Sequence, residues 1–455
     1  MIAHTDSPFA VRGVIEGFYG NPWTHDQRLR VVEFIAARGM NTFVYAPKDD
    51  SRVRRDWRVA YDGPDLERMT ELADRCRLSG VDLVYCLSPG LSIRYGDPAD
   101  VDALVAKLAA VGELGVDVFG LLLDDIPAEL QHPADRERFD GLAEAHVHLV
   151  SAMFDRLPPG ARMIVCPTVY WGRGDEEYLA RLGRGIDPRI DLFWSGRAIC
   201  SATLDLPDAA TFVRTTGRPA VFWDNYPVND VAMTHELHIG PYRGRDPDLA
   251  RFARGVIANG MELFESSTIA FATIADYLTS PHTYQPDASW HQALVDVVGS
   301  ADVDAFATFA DNVRSSCLCA DDAPVVTRAL EQFAFRVDQG QGAAAAADLA
   351  ALADRLLAAA DHLLSGRAAN VALVDETRPW IAAFQVGARA LHHIAELAAD
   401  GRLESDAAEL GPYLDRLRRA RVRVFGDALD MVLSDLTGTH VRPGVFPALD
   451  QGGSS

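Results

Sequence analysis

Residues Phe119–Pro127 read Phe-Gly-Leu-Leu-Leu-Asp-Asp-Ile-Pro, an apolar strand that stops abruptly on two adjacent acids. Successive strand side chains point to opposite faces. Asp124 and Asp125 can therefore serve one site only if the strand has ended and at least one of them stands on the following loop. The same pattern, a short β-rich run followed by a longer helical one, repeats from residue 12 to about 265, as expected of βα units around a parallel sheet. The expected strands are Gly13–Tyr19, Asn41–Ala46, Asp82–Leu87, Val116–Leu123, Arg162–Pro167, Ile190–Trp194, Ala220–Trp223 and Arg254–Ala258. Amphipathic stretches lie between them, including His25–Arg38, Pro64–Ser79, Pro98–Leu114 and Asp135–Arg156, with apolar residues at three- and four-residue spacing.

Eight such repeats in about 250 residues match the size of a (β/α)8 TIM-like barrel, although a doubly wound sheet shares the pattern. The residues at the strand ends favour the barrel. Tyr19, Lys48, Ser88, Asp124, Tyr170, Trp194, Asp224 and Asn259 stand at or just past those ends, which a barrel gathers on one face and an open sheet spreads apart. After about residue 285 the chain becomes rich in Ala, Leu, Asp and Arg, with helical stretches at Gly342–Ser365, Thr377–Ala399 and Ser405–Leu433. The expected organisation is a barrel over residues 1–285, an all-α bundle of four or five helices over 286–437, and a flexible tail over 438–455. A chain of 455 residues supports two such units, because single cores stop growing at about 250–300 residues.

Composition narrows the functional classes. The formal charge of −22 and isoelectric point near 4.9 disfavour nucleic acid and anionic membranes as partners, since both need a basic surface. The six cysteines are Cys76, Cys86, Cys166, Cys200, Cys317 and Cys319. They lack C-x-x-C spacing, and the histidines show no metal-ligand spacing, so the expectation is a reduced protein with no metal and no cofactor. Phosphate-binding and serine-hydrolase motifs are also missing from the sequence. With no signal-like N-terminus and no apolar run of about 20 residues, the reading is a soluble cytoplasmic protein.

Several clusters carry chemistry. Two neighbouring acids can divide the work of a glycosidase, one donating a proton to the leaving oxygen and one stabilising positive charge at the sugar. Trp223–Asp230 (WDNYPVND) crowds Asp224, Asn225, Asn229 and Asp230 around aromatics after a strand, the mixture that sugar hydroxyls and C–H faces require. An Asn/Asp turn with core aromatics is the alternative. Tyr45–Asp50 (YAPKDD) places Lys48 to donate to a hydroxyl or to pair with an acid. Gly13–Trp23 (GVIEGFYGNPW) lets backbone approach a ligand closely.

Taken in order, EGFYGNPW, YAPKDD, SPG, LLLDDIP, CPTVY, WDNYPVND and GVIANGM closely resemble glycoside hydrolase family 84, the O-GlcNAcase and bacterial hyaluronidase-like family. The resemblance covers roughly residues 12 to 280, and the helical segment resembles the helical domain that follows the family's barrel. It implies a retaining exo-β-N-acetylglucosaminidase in which the substrate's 2-acetamido group attacks C1 to give an oxazoline. By motif position, Asp124 orients and polarises the acetamido group, and Asp125 is the general acid and then the base. Tyr170, Trp223 and Asn225 match the acetamido pocket, Asp230 the acid that binds the sugar's O4 and O6 hydroxyls, and Gly17, Lys48 and Asn259 the remaining contacts, with Tyr19 nearby.

Two departures bear on the aglycone: Ser51, Arg52 and Val53 stand where the family often has Pro-Tyr-His, and Val169 where it often has Glu. The implied partners are GlcNAc-bearing glycoproteins, glycopeptides or oligosaccharides, and a second copy of the chain through the helical domain. The substrate reading divides between GlcNAc on Ser/Thr of glycoproteins and oligosaccharides of glycan turnover. From a different class comes a catalytically silent glycan-binding module, against which the retention of both acids argues.

Overall fold

The eight apolar runs form strands because each supplies a hydrophobic face to a closed interior. The computed structural model describes residues 7–319, 323–426 and 428–439. The strands are β1 (Val11–Glu16), β2 (Thr42–Tyr45), β3 (Asp82–Leu87), β4 (Val118–Leu122), β5 (Arg162–Cys166), β6 (Asp191–Trp194), β7 (Ala220–Asp224) and β8 (Ala253–Asn259). All neighbours are parallel, and β1 pairs with both β2 and β8, which closes the barrel. The expected (β/α)8-like barrel is therefore the observed one, and the doubly wound alternative is excluded.

The interior is filled by residues two apart on the strands: Ile15, Val44 and Ala46, Val84 and Cys86, Val118 and Leu122, Ile164 and Cys166, Phe193, Val221 and Trp223, and Ile257, all buried. Gly120 sits between Val118 and Leu122 in this alternation. A Cβ there would stand 2.3 Å from Cys86 Sγ, so only glycine lets β4 lie against β3 at this level. Between β7 and β8 the register shifts by one, Ala220 facing Ala253 and Val221 facing Gly255. Arg254 is thereby left out of the pairing, and its Nε lies 3.0 Å from the Asp191 carboxylate.

Parallel neighbours need a crossover long enough for a helix. Six crossovers carry one, over His25–Ala37, Gly63–Ser79, Pro98–Gly112, Leu142–Phe154, Glu177–Gly185 and Leu206–Thr216. Thr24 opens the first with a reciprocal cap, its hydroxyl accepting from Gln27 N–H while the Gln27 side chain accepts from Thr24 N–H. Two expectations need correction. The helical stretch Asp135–Arg156 is two helices, Pro133–Arg138 and Leu142–Phe154, because Phe139 and Gly141 adopt extended backbone. The β7–β8 connection holds only short 3-10 turns, Val231–Met233 and Leu249–Arg251.

The described residues group into two compact units. The barrel unit comprises residues up to 228 with 242–264 and 271–286. The second comprises 229–241, 265–270 and the chain from 287 onward. Within the second unit, Gly342–Leu364 and Val371–Ala399 form the long helices. Phe384 stacks on Phe425 with ring centroids 5.4 Å apart and meets Phe309 edge-on at 5.7 Å. A Cβ at Gly387 would collide with the Phe425 ring, so that position must be small. The helices are more numerous than the four or five expected. Val303–Ala310 and Pro324–Asp338 add to the count. The stretch Ser405–Leu433 also breaks into a 3-10 turn, Gly411–Ala420 and Ala428–Leu436. Residues 440–455, most of the expected tail, lie outside the described residues. No helix among the described residues is long and apolar enough to cross a membrane.

One buried titratable group in the barrel unit makes a pH prediction. His146 is fully buried, with Nδ1 2.7 Å from the Tyr178 hydroxyl and Nε2 3.0 Å from that of Tyr95. Burial pushes its pKa down from 6.5 to about 3. The folded protein thus holds His146 neutral where the unfolded chain would protonate it, and stability falls as pH drops below 6.5, down to about 3. Relative to His146→Gln, the parent should lose about 2 kcal/mol more between pH 7 and pH 5 in urea titrations. Parallel stability curves for the two proteins would contradict this.

Candidate active site

β4 ends at Leu122, and the two acids come directly after Leu123. Asp124 is buried, 4% exposed, whereas Asp125 is exposed. Asp125 has a left-handed backbone, φ 50°, an uncommon conformation that Asp tolerates better than most residues. That turn resolves the problem posed by two consecutive strand-end acids, because it brings the second carboxylate back toward the first one's cation. Lys48, three residues past β2, places its Nζ 2.5 Å from Asp124 Oδ2 and 3.7 Å from Asp125 Oδ2.

Lys48 is itself buried, and its ammonium lies over the rings of Tyr19 (5.5 Å) and Trp223 (5.7 Å). Burial alone would depress the Lys48 pKa, but the charges of Asp124 and Asp125 outweigh it and hold the ammonium above the ordinary lysine range. The geometry thus favours the ion-pair alternative for Lys48. Asp124 Oδ1, by contrast, is buried and accepts no hydrogen bond. One oxygen of this carboxylate is fixed by an ammonium, and the other is an acceptor without a donor.

The Asp125 carboxylate is held by two phenols. Tyr19 donates to Oδ2 at 2.8 Å and Tyr170 to Oδ1 at 3.2 Å. Burial raises both phenol pKa values, with the Asp125 charge adding to it, so both hydroxyls keep their protons at neutral pH. Arg54 donates through Nη1 to the Tyr19 oxygen at 2.8 Å and through Nη2 to the Asp125 main-chain carbonyl at 3.4 Å. Sequence reading missed Arg54. Its only signal is its position in Ser51–Arg58, an arginine-rich run just beyond the Lys-Asp-Asp motif.

A second wall runs from β1 through β8 to β7. Gly17 N–H donates to Asn259 Oδ1 (3.2 Å), and Asn259 Nδ2 donates to Asn225 Oδ1 (3.0 Å). Asn225 Oδ1 also accepts from Trp223 Nε1 (3.0 Å), while Asn225 Nδ2 donates to Ile199 O (2.8 Å). A Cβ at Gly17 would stand 2.7 Å from the Trp223 ring, so glycine is required for the indole to lie there. The barrel thus brings together Gly17, Tyr19, Lys48, Asp124, Asp125, Tyr170, Trp223, Asn225 and Asn259.

Asp230 belongs to the other compact unit. It lies on 229–241 and immediately precedes the turn Val231–Met233, its main-chain carbonyl accepting from Met233 N–H. Asp224 and Asn229 of the WDNYPVND cluster are engaged by protein partners. Asp224 is buried and paired with Arg245, Nε to Oδ2 at 2.9 Å and Nη2 to Oδ1 at 2.6 Å, with the Tyr242 hydroxyl also donating to it. Asn229 donates to the Glu236 carbonyl within the second unit. Among the described residues, no group of three or more His, Cys, Asp or Glu side chains is arranged to hold a metal ion.

Comparison with known proteins bears on this geometry. A family model described as beta-N-acetylglucosaminidase matches residues 12–311. Protein O-GlcNAcase of Rattus norvegicus and that of Mus musculus are each 32% identical over 274 residues, which is 59% of this chain and 30% of theirs. The match thus spans less than a third of those relatives. An Asp-to-Asn mutant of the O-GlcNAc hydrolase of Thermobaculum terrenum superposes with a TM-score of 0.90 at 32% identity, covering 94% of this chain and 95% of that one. CpGH84B superposes with a TM-score of 0.83 at 26% identity, over 94% and 77%.

The charge arrangement predicts how the site responds to losing its cation. Lys48→Met leaves Asp124 buried and unpaired beside Asp125, which should cost about 3–5 kcal/mol of folding stability. Asp124→Asn in the same chain should recover much of that loss, measured as a double-mutant cycle in urea. Additive losses would show that the two side chains do not form the pair described.

Proposed function

Because this chain belongs to the beta-N-acetylglucosaminidase family of glycoside hydrolases, we propose that it is a retaining exo-β-N-acetylglucosaminidase that removes terminal β-linked GlcNAc from Ser and Thr side chains of glycoproteins. The observation that carries the proposal is the unpaired Asp124 Oδ1. A buried carboxylate oxygen without a donor is costly, and the cost is recovered when a ligand supplies an N–H. The substrate's 2-acetamido N–H is such a donor. With its N–H held by Asp124, the acetamido group turns its carbonyl oxygen toward C1.

In the first step that carbonyl oxygen forms a bond to C1 as the bond from C1 to the aglycone oxygen breaks, and Asp125 gives its proton to the departing oxygen. The product is an oxazolinium ion with its N–H held by Asp124, or the neutral oxazoline if that proton passes to Asp124, which then returns it to the nitrogen in the second step. In the second step water adds to C1. Asp125 takes the water's proton, the C1–O bond of the oxazoline opens, and the acetamido group is restored. Two inversions at C1 leave the β configuration retained. No enzyme carboxylate attacks the sugar, in contrast to the two-carboxylate scheme of most retaining glycosidases.

Lys48 supplies the countercharge for both acids, and Tyr170 is shared between Asp125 and the acetamido group. Trp223 and Asn225 wall the acetyl pocket, with Gly17 and Asn259 completing that wall. Asp230 enters the proposal on its motif, as the acid that binds the O4 and O6 hydroxyls. Its test is Asp230→Asn, which should raise KM on a GlcNAc glycoside.

Substitution separates the two acids. Asp124→Asn should lower kcat by about 100- to 1,000-fold whatever the leaving group, since it removes charge stabilisation at the acetamido group. Asp125→Asn should cost about 100- to 10,000-fold on alkyl β-N-acetylglucosaminides and much less on 4-nitrophenyl ones, whose leaving group needs no proton. The reverse pattern would exchange the assignments. No hydrolysis by the folded parent protein would return the chain to a glycan-binding role.

A further inference from the structure

Asp125 does its work from an exposed loop, on a left-handed backbone, next to a buried and rigidly paired neighbour. Burial does not fix its carboxylate, so hydrogen bonds must. Of the two phenols that bind it, Tyr170 holds Oδ1 alone, whereas Tyr19 is itself held. A phenol oxygen that accepts from a guanidinium at 2.8 Å has its lone pair engaged on that side. Its own O–H is then directed away from the cation, here to Asp125 Oδ2. The same guanidinium donates to the Asp125 carbonyl, so it grips both the backbone of Asp125 and, through Tyr19, the carboxylate.

The segment that delivers Arg54 is packed firmly. Val53 is buried, and its carbonyl accepts from Ser88 N–H at 2.9 Å. Trp57 is fully buried and donates from Nε1 to Ser92 Oγ at 3.1 Å. The Lys107 ammonium donates to the carbonyls of Arg52 and Val59, each at 2.6 Å, tying the two ends of the excursion together. Ser51, Arg52 and Val53, where the chain departs from the common family pattern, all lie in this brace.

From this arrangement we infer that Arg54 is a positioning residue for Asp125: acting through the Tyr19 hydroxyl and the Asp125 carbonyl, it holds the carboxyl group in line with the aglycone oxygen. The inference rests on the reading of Asp125 as the general acid. A purely structural Arg54 would affect folding and every substrate alike. A positioning Arg54 affects the step that needs the proton.

The test compares kcat/KM for an alkyl and a 4-nitrophenyl β-N-acetylglucosaminide in Arg54→Met, Arg54→Lys, Tyr19→Phe, Arg54→Met with Tyr19→Phe, and Asp125→Asn, with melting temperatures recorded for each. Arg54→Met should lose about 10- to 100-fold on the alkyl glycoside and less than about threefold on the activated one, as expected when a proton donor is misplaced by about 1 Å. In the Tyr19→Phe background the further loss should shrink to less than about threefold, because the shorter of the two Arg54 contacts toward Asp125 is gone and only the 3.4 Å one to the Asp125 carbonyl remains. Arg54→Lys, which can still donate to the phenol, should recover part of the loss. Equal losses on both substrates, or losses that multiply in the double variant, would overturn the inference. If Asp125→Asn discriminates between the substrates and Arg54→Met does not, the positioning role alone falls. If Asp125→Asn fails to discriminate, the acid assignment falls and takes this inference with it.

Discussion

A buried ammonium placed between two consecutive carboxylates is the interaction on which the site depends. Lys48 sits in a cage of two aromatic rings and two acids, with little water to screen it. At that depth the Lys48 cation without an anion would be strongly unfavourable, and so would the Asp124 anion without its cation. Lys48 and Asp124 therefore specify each other's positions, with the exposed Asp125 carboxyl group 3.7 Å from the same ammonium. Because the ammonium occupies only one oxygen of Asp124, the other is left as a buried acceptor, and the chemistry proposed for the protein stems from that asymmetry.

The barrel makes this arrangement possible. Lys48, Asp124 and Tyr170 come after β2, β4 and β5, and Gly17 and Tyr19 after β1. Residues this far apart in sequence meet because strand closure brings their C-terminal ends to one rim. The interior beneath is filled with apolar side chains, so the charged groups rest on a floor that does not yield. Gly120 and Gly17 mark two places where the fit leaves room only for hydrogen, one inside the barrel and one under the Trp223 indole. The left-handed turn at Asp125 adds the feature that no strand could supply, two adjacent residues addressing the same cation.

Much of this was legible in the chain, for identifiable reasons. Strand positions could be read because apolar runs and turn residues are local signals, and β3 was located to the residue. The acids stood out because a buried strand ending in Asp-Asp is an abrupt change of chemistry. Arg54 was not legible, since its meeting with Tyr19 and Asp125 depends on how 50–60 folds back between Ser88, Ser92 and Lys107. Asp224 reads in sequence equally as a sugar ligand or a turn residue, because the bidentate partner that engages it, Arg245, lies 21 residues downstream. The break at Phe139–Gly141 hid inside an amphipathic pattern that continues across it, because apolar spacing does not record a backbone that turns extended.

The central claim is that the carbonyl oxygen of the substrate's own acetamido group is the nucleophile. It is tested most directly by kcat/KM along a series of 4-nitrophenyl β-glucosaminides whose N-acetyl group carries zero, one, two or three fluorines. The account predicts a steep, monotonic fall in rate as the fluorines withdraw electron density from the carbonyl oxygen. A rate indifferent to fluorination would contradict it and would require a nucleophile from the protein.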